Sequence, residues 1–377
     1  MIFCGITPIK WVLLLLSCMQ YKRKLLFIGF LLVLALLLKW YSLSSQRVET
    51  GYATGLYPFM ASGLRFLFGW IPFSAGDFIY GFFGLWCVIK LAKGTRLLIQ
   101  KKATWKGTAS RFIKAATLLL LLYLVFNSFW GVNYNRKGIA TQIGLSMTKY
   151  STDELKEINA LLVEKTNTAK TSLLNTGTAY WSSAELFKQT GSAYKKIDSA
   201  YPFLRYNHLS IKPSLWGWLG NYVGFLGYYN PFTGEAQVNT TVPKFLQPFT
   251  VCHEVAHQLG YAKENEANFV GYLAASASND DRFKYSVYLD LFLYSNRNLY
   301  GTDSASARVF ANQLLPEVKN DLKEWREFNR RHKNPVEPVI RWLYGKYLES
   351  NEQPQGMLSY DEVTSFIIAY YKKFGKI

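Results

Sequence analysis

Three long apolar runs fill the first third of the chain, and amphipathic stretches fill the rest. Leu25 to Leu38 is almost uninterrupted Leu, Ile, Val, Phe and Ala, preceded by Lys22, Arg23 and Lys24 and followed by Trp40 and Tyr41. With those aromatic residues as interfacial anchors, the run is long enough to span a bilayer with help from its flanks. Gly76 to Leu91 forms a second span, with Asp77 at one edge and Lys90 and Lys93 at the other, and Phe112 to Trp130 forms the third. Asp77 at such a boundary could mark an ion pathway, but a helix cap is the commoner use of an acid there. Trp11 to Met19 is too short to span and reads as part of a leader, or as an upstream extension of a chain starting at Met19. Tyr57 to Phe73, broken by Pro58, Arg65 and Pro72, predicts an interfacial or re-entrant piece.

From Gly131 onward the period turns amphipathic. Ser151 and Glu154 form a capping-box start for a helix reaching about Thr168. Further helices are predicted over Ser183 to Ala200, from Pro248 to Gly260, from near Ala262, and over Asp281 to Asn298, Ser304 to His332, Val336 to Ser350 and Tyr360 to Phe374. The last carries Ser359 and Glu362 as a second capping box. Leu215 to Pro231 is rich in Gly, Trp and Tyr and suits turns, while the alternation of Glu235 to Thr241 predicts a strand. The expected fold is therefore mainly α: about three transmembrane helices within residues 1–130, then one helical domain over 131–377 with a small β-strand element.

Charge sharpens this division. The 377 residues carry 43 Lys and Arg against 25 Asp and Glu, a net charge of +18. Fifteen basic and two acidic residues precede Trp130, so most of the excess lies among the apolar runs. That distribution is the mark of membrane topology and excludes a nucleic-acid surface; the lipid bilayer is the partner implied. The loop holding Lys93, Arg96, Lys101, Lys102, Lys106, Arg111 and Lys114 has no acidic residue. The positive-inside rule puts it and Lys22 to Lys24 in the cytoplasm, and everything after Trp130 outside. Half the residues are hydrophobic and 17% aromatic, which excludes a disordered chain. Cys4, Cys18, Cys87 and Cys252 form no regular set, so no disulfide framework is expected.

One motif carries chemistry: His253-Glu254-Val255-Ala256-His257. On a helix, residues four apart lie about 40° apart on one face, so both imidazoles can hold one metal ion, with Glu254 beside them to reach a water. This is the spacing of a zinc hydrolase, with two ligands and a general base. Pro248 and Gly260 bound the helix appropriately. A catalytic zinc takes a third protein ligand. The metzincin pattern would put a His where Lys263 stands, which leaves a carboxylate and a gluzincin-type His₂Glu site. Glu264 is favoured and Glu266 is the alternative. Asn268, four residues after Glu264, could support Glu264 or a ligand His, and this Glu-x-x-Ala-Asn pattern resembles the Glu-x-x-Ala-Asp helix of membrane-bound gluzincins.

Two longer runs accompany the motif: Asn230-Pro-Phe-Thr-Gly-Glu-Ala-Gln-Val-Asn239, and Cys252 to Tyr261 followed by Glu264 to Phe269. Together with Ile71 to Tyr80, Trp130 to Tyr134 and Ser359 to Asp361, they resemble an uncharacterised family of bacterial multi-pass membrane proteins with a zincin-like domain. The resemblance covers most of the chain. It implies a zinc metallopeptidase with no assigned substrate, in the bacterial inner membrane with its C-terminal domain extracytoplasmic.

The expected activity is hydrolysis of a peptide or protein of the cell envelope by a metal-activated water, with zinc on His253, His257 and Glu264 and with Glu254 as the base. An oxyanion donor is also needed. Tyr261, Arg282, Tyr285 and Tyr288 lie nearby in sequence without one standing out, and the helical spacing of Tyr285, Tyr288 and Leu289 favours a core role. The Glu235 to Asn239 strand is expected to be an edge that aligns an extended substrate. Cys252 points about 100° from its ligand neighbour and reads as a small buried side chain; His208 and His332 read as ordinary structural or solvated histidines. An intramembrane protease is disfavoured, because Val251 to Gly260 is short and polar. The competing class is a non-catalytic, zinc-stabilised binding or assembly module, for which the retained Glu254 would have no use.

Overall fold

The computed structural model describes residues 8–102 and 104–377, with side chains from residue 22 onward except that of Tyr360. Met1 and Cys4, and the side chains of Trp11 to Met19, fall outside that description. Helix α1 runs over Pro8–Ser42, so the Trp11 to Met19 stretch and the first apolar run share one helix. A short α2 (Ser45–Arg47), a π-helical segment (Val48–Leu56) and α3 (Tyr57–Gly69) follow. Then come α4 (Ala75–Ile99) and α5 (Trp105–Phe129), capped by Ser74 and Thr104. Residues 22–42, α4 and α5 are each long and apolar enough to cross a membrane. At 1.5 Å per residue the 25 residues of α4 reach about 37 Å, more than the ~30 Å hydrocarbon core. Leu85, Val88 and Leu91 on α4 and Phe112 and Leu119 on α5 stay exposed on the protein surface, as lipid-facing side chains must.

The broken stretch after α1 packs against the later part of the chain rather than forming a further span. α3 buries Tyr57, Ala61 and Arg65, one residue per turn. With Val48 and Tyr52, Tyr57 and Ala61 join Trp130, Val132, Tyr134 and Ala262 in a small second core. The start of α4 is held to the same body. The Glu235 carboxylate accepts the Ala75 and Gly76 amides at 3.1 and 2.7 Å, and the buried Asp77 carboxylate accepts the Leu215 amide at 2.7 Å and the Tyr228 hydroxyl. Negative charge at a helix N-terminus suits both the free amides and the dipole. Asp77 thus anchors a helix end.

The remaining body is helical: α6 (Gly138–Gln142), α7 (Thr152–Thr176), α8 (Ser183–Asp198), α9 (Gly217–Val223), α10 (Gln247–Gln258), α11 (Glu264–Ala277), α12 (Asp281–Thr302), α13 (Ser304–Gln313), α14 (Pro316–His332), α15 (Glu337–Ser350) and α16 (Val363–Phe374). The Ser151–Glu154 capping box is formed, and α7 continues two turns past Thr168 to end at Gly177 in the left-handed conformation. The stretch Ser304 to His332 is two helices, because Pro316 opens a new first turn. The expected Ser359–Glu362 box does not form. Ser359 lies in a 3-10 turn (Gly356–Tyr360), so α16 starts one turn later without a side-chain cap.

Three short strands, β1 (Ile211–Pro213), β2 (Gly227–Asn230) and β3 (Glu235–Val238), form a sheet in the order β1-β3-β2. β3 pairs in parallel with β1 (Ile211 opposite Ala236) and antiparallel with β2 (Gly227 opposite Val238). Both its edges are paired. The expectation that Glu235 to Asn239 aligns a substrate along a free edge is therefore wrong. The alternation was a true strand signal, but alternation does not distinguish a central strand from an edge.

Every residue of α10 is buried. It lies in the main core between the sheet and α8, α11 and α12, whose buried residues include Val251, Cys252 and Val255 on α10, Phe269 and Val270 on α11, and Tyr285 and Phe292 on α12.

Candidate metal and catalytic centre

The motif sits on α10, a helix with Pro248 in its first turn that stops at Gly260, whose φ of +87° only glycine adopts at no steric cost. One turn apart, the His253 and His257 rings stand 4.6 Å between centroids and nearly perpendicular. Each ring is held by its Nδ1: His253 against Asn268 Oδ1 at 2.7 Å, and His257 against the Tyr261 carbonyl at 2.7 Å. Both Nε2 atoms are thereby turned to a common point. The Trp130 indole and the Tyr57 hydroxyl donate to the His257 carbonyl, at 3.3 and 3.4 Å, and secure the last turn.

Glu264 opens α11, and its Oε2 lies 3.2 Å from His253 Nε2 and 3.5 Å from His257 Nε2. All three side chains are buried, with donor atoms within 4.8 Å of one another. Tyr344 Oη donates to Glu264 Oε1 at 2.8 Å, and Gln353 Oε1 accepts the Glu264 amide at 2.9 Å. Donors each 2.0–2.2 Å from one tetrahedral ion would stand about 3.3–3.5 Å apart, so the set could hold a metal ion. The electrostatics agree. Burial pushes the Glu264 carboxyl up, but the two imidazoles outweigh it and hold it well below the usual carboxylate range. Burial lowers His257, yet the Glu264 charge lifts it, to about 9.

Glu266, the alternative third ligand, is turned elsewhere. Its carboxylate lies against Gly138 and in the field of Arg136.

Glu254 faces a cavity of about 880 Å³ that His253, Asn268 and Tyr344 also line. Burial raises its carboxyl, to about 7 even with the two imidazoles opposing, and its Oε2 has no hydrogen-bond partner among the described residues. A buried carboxylate oxygen without a donor is poised to accept a proton. One face of α12, marked by Ser286, Asp290, Tyr294 and Arg297, supplies a polar wall.

Residues 52–368 match a family described as a protein of unknown function, DUF3810. The chain belongs to this family. The matched span includes every run on which the sequence resemblance rests. No curated protein and no solved structure matches the chain.

Several nearby residues of this DUF3810 protein stand away from the cavity. The Tyr261 hydroxyl donates to Gln142 at 2.6 Å, Arg282 pairs with Asp280 at 2.6 Å, the Tyr285 hydroxyl donates to Asp321, and Tyr288 is buried in the core. None of these four lines the cavity. Cys252 is buried in the core, and its carbonyl accepts the Tyr194 hydroxyl at 2.6 Å. His208 is exposed beside Phe66, and the His332 ring packs on Phe328 and Tyr222. Sequence reasoning did not find Tyr344, which is 80 residues from its partner Glu264 and in no motif. Nor did it find Gly227, whose missing side chain gives Glu254 its place.

Proposed function

We propose that this DUF3810 protein is a membrane-anchored zinc metallopeptidase. The observation that carries the reading is the meeting of His253, His257 and Glu264 donors in one buried cluster, with Glu254 beside them on a cavity wall. Zinc bound by those three residues would supply the Lewis acidity that polarises a carbonyl and acidifies a water. Glu254 takes the proton from the attacking water and passes it to the leaving amine, a task suited to a carboxyl raised toward neutrality by burial. Asn268 and the Tyr261 carbonyl keep the two rings in the required tautomer and orientation. Tyr344, which lines the cavity and whose hydroxyl donates to Glu264, is the best-placed neutral donor, its single O–H proton turning from Glu264 to the oxyanion as that charge develops. An extended substrate pairs with the outer edge of β2, which has no strand partner among the described residues and borders Glu254 at Gly227.

The membrane part is read with its basic loop in the cytoplasm, and the catalytic body over 131–377 outside the inner membrane of a bacterium, facing peptides or proteins of the envelope. The test uses the detergent-solubilised full chain with a quenched fluorescent peptide library. Wild type is expected to hold about one zinc per chain and to cleave, and Glu254→Gln to keep the metal and lose turnover. Absence of metal after zinc is supplied, or unchanged behaviour of Glu254→Gln, would overturn the reading and leave a binding or assembly module.

A further inference from the structure

The wall of the cavity opposite in character to its polar α12 side is built partly by a membrane helix. Tyr80, Gly81 and Gly84, on one face of α4, line the same space as His253 and Glu254. Gly84 lies nine residues past the start of α4, about 13 Å along its axis, so the cavity extends down the helix toward the bilayer interior. Trp216 closes on Gly81, where a Cβ would stand 3.0 Å from its ring, while nothing lies within 4 Å of a Cβ built at Gly84. Leu219 and Val223 continue the apolar wall on α9. Beside them Trp218 and Tyr222 are exposed, the placement of aromatic residues at a membrane interface. The space is therefore polar where the carboxylates and Arg297 stand, and apolar where it runs along α4.

We propose that the site acts on polypeptides whose scissile bond adjoins an apolar chain held in the bilayer, and that this chain enters along Gly81 and Gly84 of α4. The proposal rests on the peptidase reading above. A freely soluble peptide has nothing to place against a spanning helix, whereas an amphiphile matches both ends of the cavity. A lipid-modified peptide and a transmembrane segment share this chemistry.

Labelling tests it without requiring turnover. The full-length Glu254→Gln protein, in phosphatidylethanolamine–phosphatidylglycerol vesicles, is exposed to three probes carrying one common polar peptide. The first is free, the second bears a diazirine-palmitoyl chain, and the third is joined to a Leu-Ala transmembrane helix with a diazirine. The expected result is cross-linking to Tyr80, Gly81 and Gly84 of α4 and to Trp216, Leu219 and Val223 by an anchored probe. In Gly84→Leu, which fills the open space, it should fall about tenfold with zinc content unchanged. Labelling by the palmitoyl probe alone identifies lipidated substrates, and by the helix probe alone membrane-spanning ones; both support the proposal. Labelling confined to lipid-facing positions such as Phe82 and Leu85, or indifferent to Gly84→Leu, or equal with the free peptide, overturns it. The peptidase reading falls instead on the metal content and turnover of wild type and Glu254→Gln, so the two can fail separately.

Discussion

Gly227 leaves the space that the Glu254 side chain occupies: a Cβ at Gly227 would stand 2.6 Å from Glu254 Oε1, 2.8 Å from its Cγ and 2.9 Å from its Cδ. Three atoms of one side chain meet the same obstacle, so a small rotation cannot relieve it, and α10 is buried on all sides and cannot shift. Gly227→Ala is expected to displace the carboxylate by about 1 Å and to cost about 100-fold in turnover. Metal content should be unchanged, because the three atoms nearest a Cβ at Gly227 all belong to Glu254 and none to His253, His257 or Glu264. Parallel assays of peptide cleavage and bound metal check this; a fully active Gly227→Ala would remove Glu254 from the reaction.

The two carboxylates of α11 should separate cleanly by metal analysis. Glu264 meets both imidazoles, whereas Glu266 lies against Gly138. Mass spectrometry of the purified full chain is expected to find about one zinc in wild type and in Glu266→Ala, and none in Glu264→Ala. Loss from Glu266→Ala alone would reverse the assignment.

Asn268 and Tyr344 hold ligands without being ligands. Asn268→Ala frees the His253 ring, and Tyr344→Phe removes a hydroxyl from Glu264. Each is expected to weaken metal affinity about 10- to 100-fold, measured by competition with a chromogenic chelator. In Tyr344→Phe kcat should fall further than metal loss explains, and KM should stay near its wild-type value, as removal of an oxyanion donor requires. A kcat that returns fully at saturating zinc would restrict Tyr344 to holding Glu264.

What could be read along the chain was what repeats or caps locally. The spans were visible as apolar runs, α7 as a formed capping box, and the histidines as an i, i+4 pair. Where a local pattern competed with its neighbours, the reading slipped. Ser359–Glu362 has the same letters as Ser151–Glu154, but the 3-10 turn after Gly356 takes up Ser359 first. β3 alternates as an edge would, yet lies between two strands of three and four residues whose own signals are too short to detect. Tyr344 and Gly227 act only through contacts far along the chain, 80 and 27 residues from their partners. The sealing of the π-helical segment and α3 against α10 was invisible for the same reason, since it depends on Tyr57 and Arg65 reaching backbone carbonyls about 200 residues later.

That long-range seal makes Arg136 a sensitive position. Its guanidinium pairs with Glu49 Oε1 at 2.9 Å, donates to the Gly260 carbonyl at 3.1 Å, and lies 4.5 Å from the centre of the Tyr261 ring. It therefore ties the π-helical segment to the turn between the two helices that carry His257 and Glu264. Glu49 also accepts the Lys137 amide and the Gln142 side chain, each at 3.0 Å, so it is not stripped of partners when Arg136 is lost. Breaking a buried ion pair from one side costs about 3–5 kcal/mol, and those remaining bonds favour the lower end. Arg136→Ala is expected to lower the melting temperature of the solubilised chain and, by loosening the turn before Glu264, to weaken zinc retention as well. The double variant with Glu49→Gln removes the stranded charge and should be less destabilised than the sum of the two single changes. Strict additivity in thermal or denaturant unfolding would mean that the two side chains are not coupled, and that the bonds of Tyr57 and Arg65 to α10 hold the segments after α1 to the motif without help from this pair.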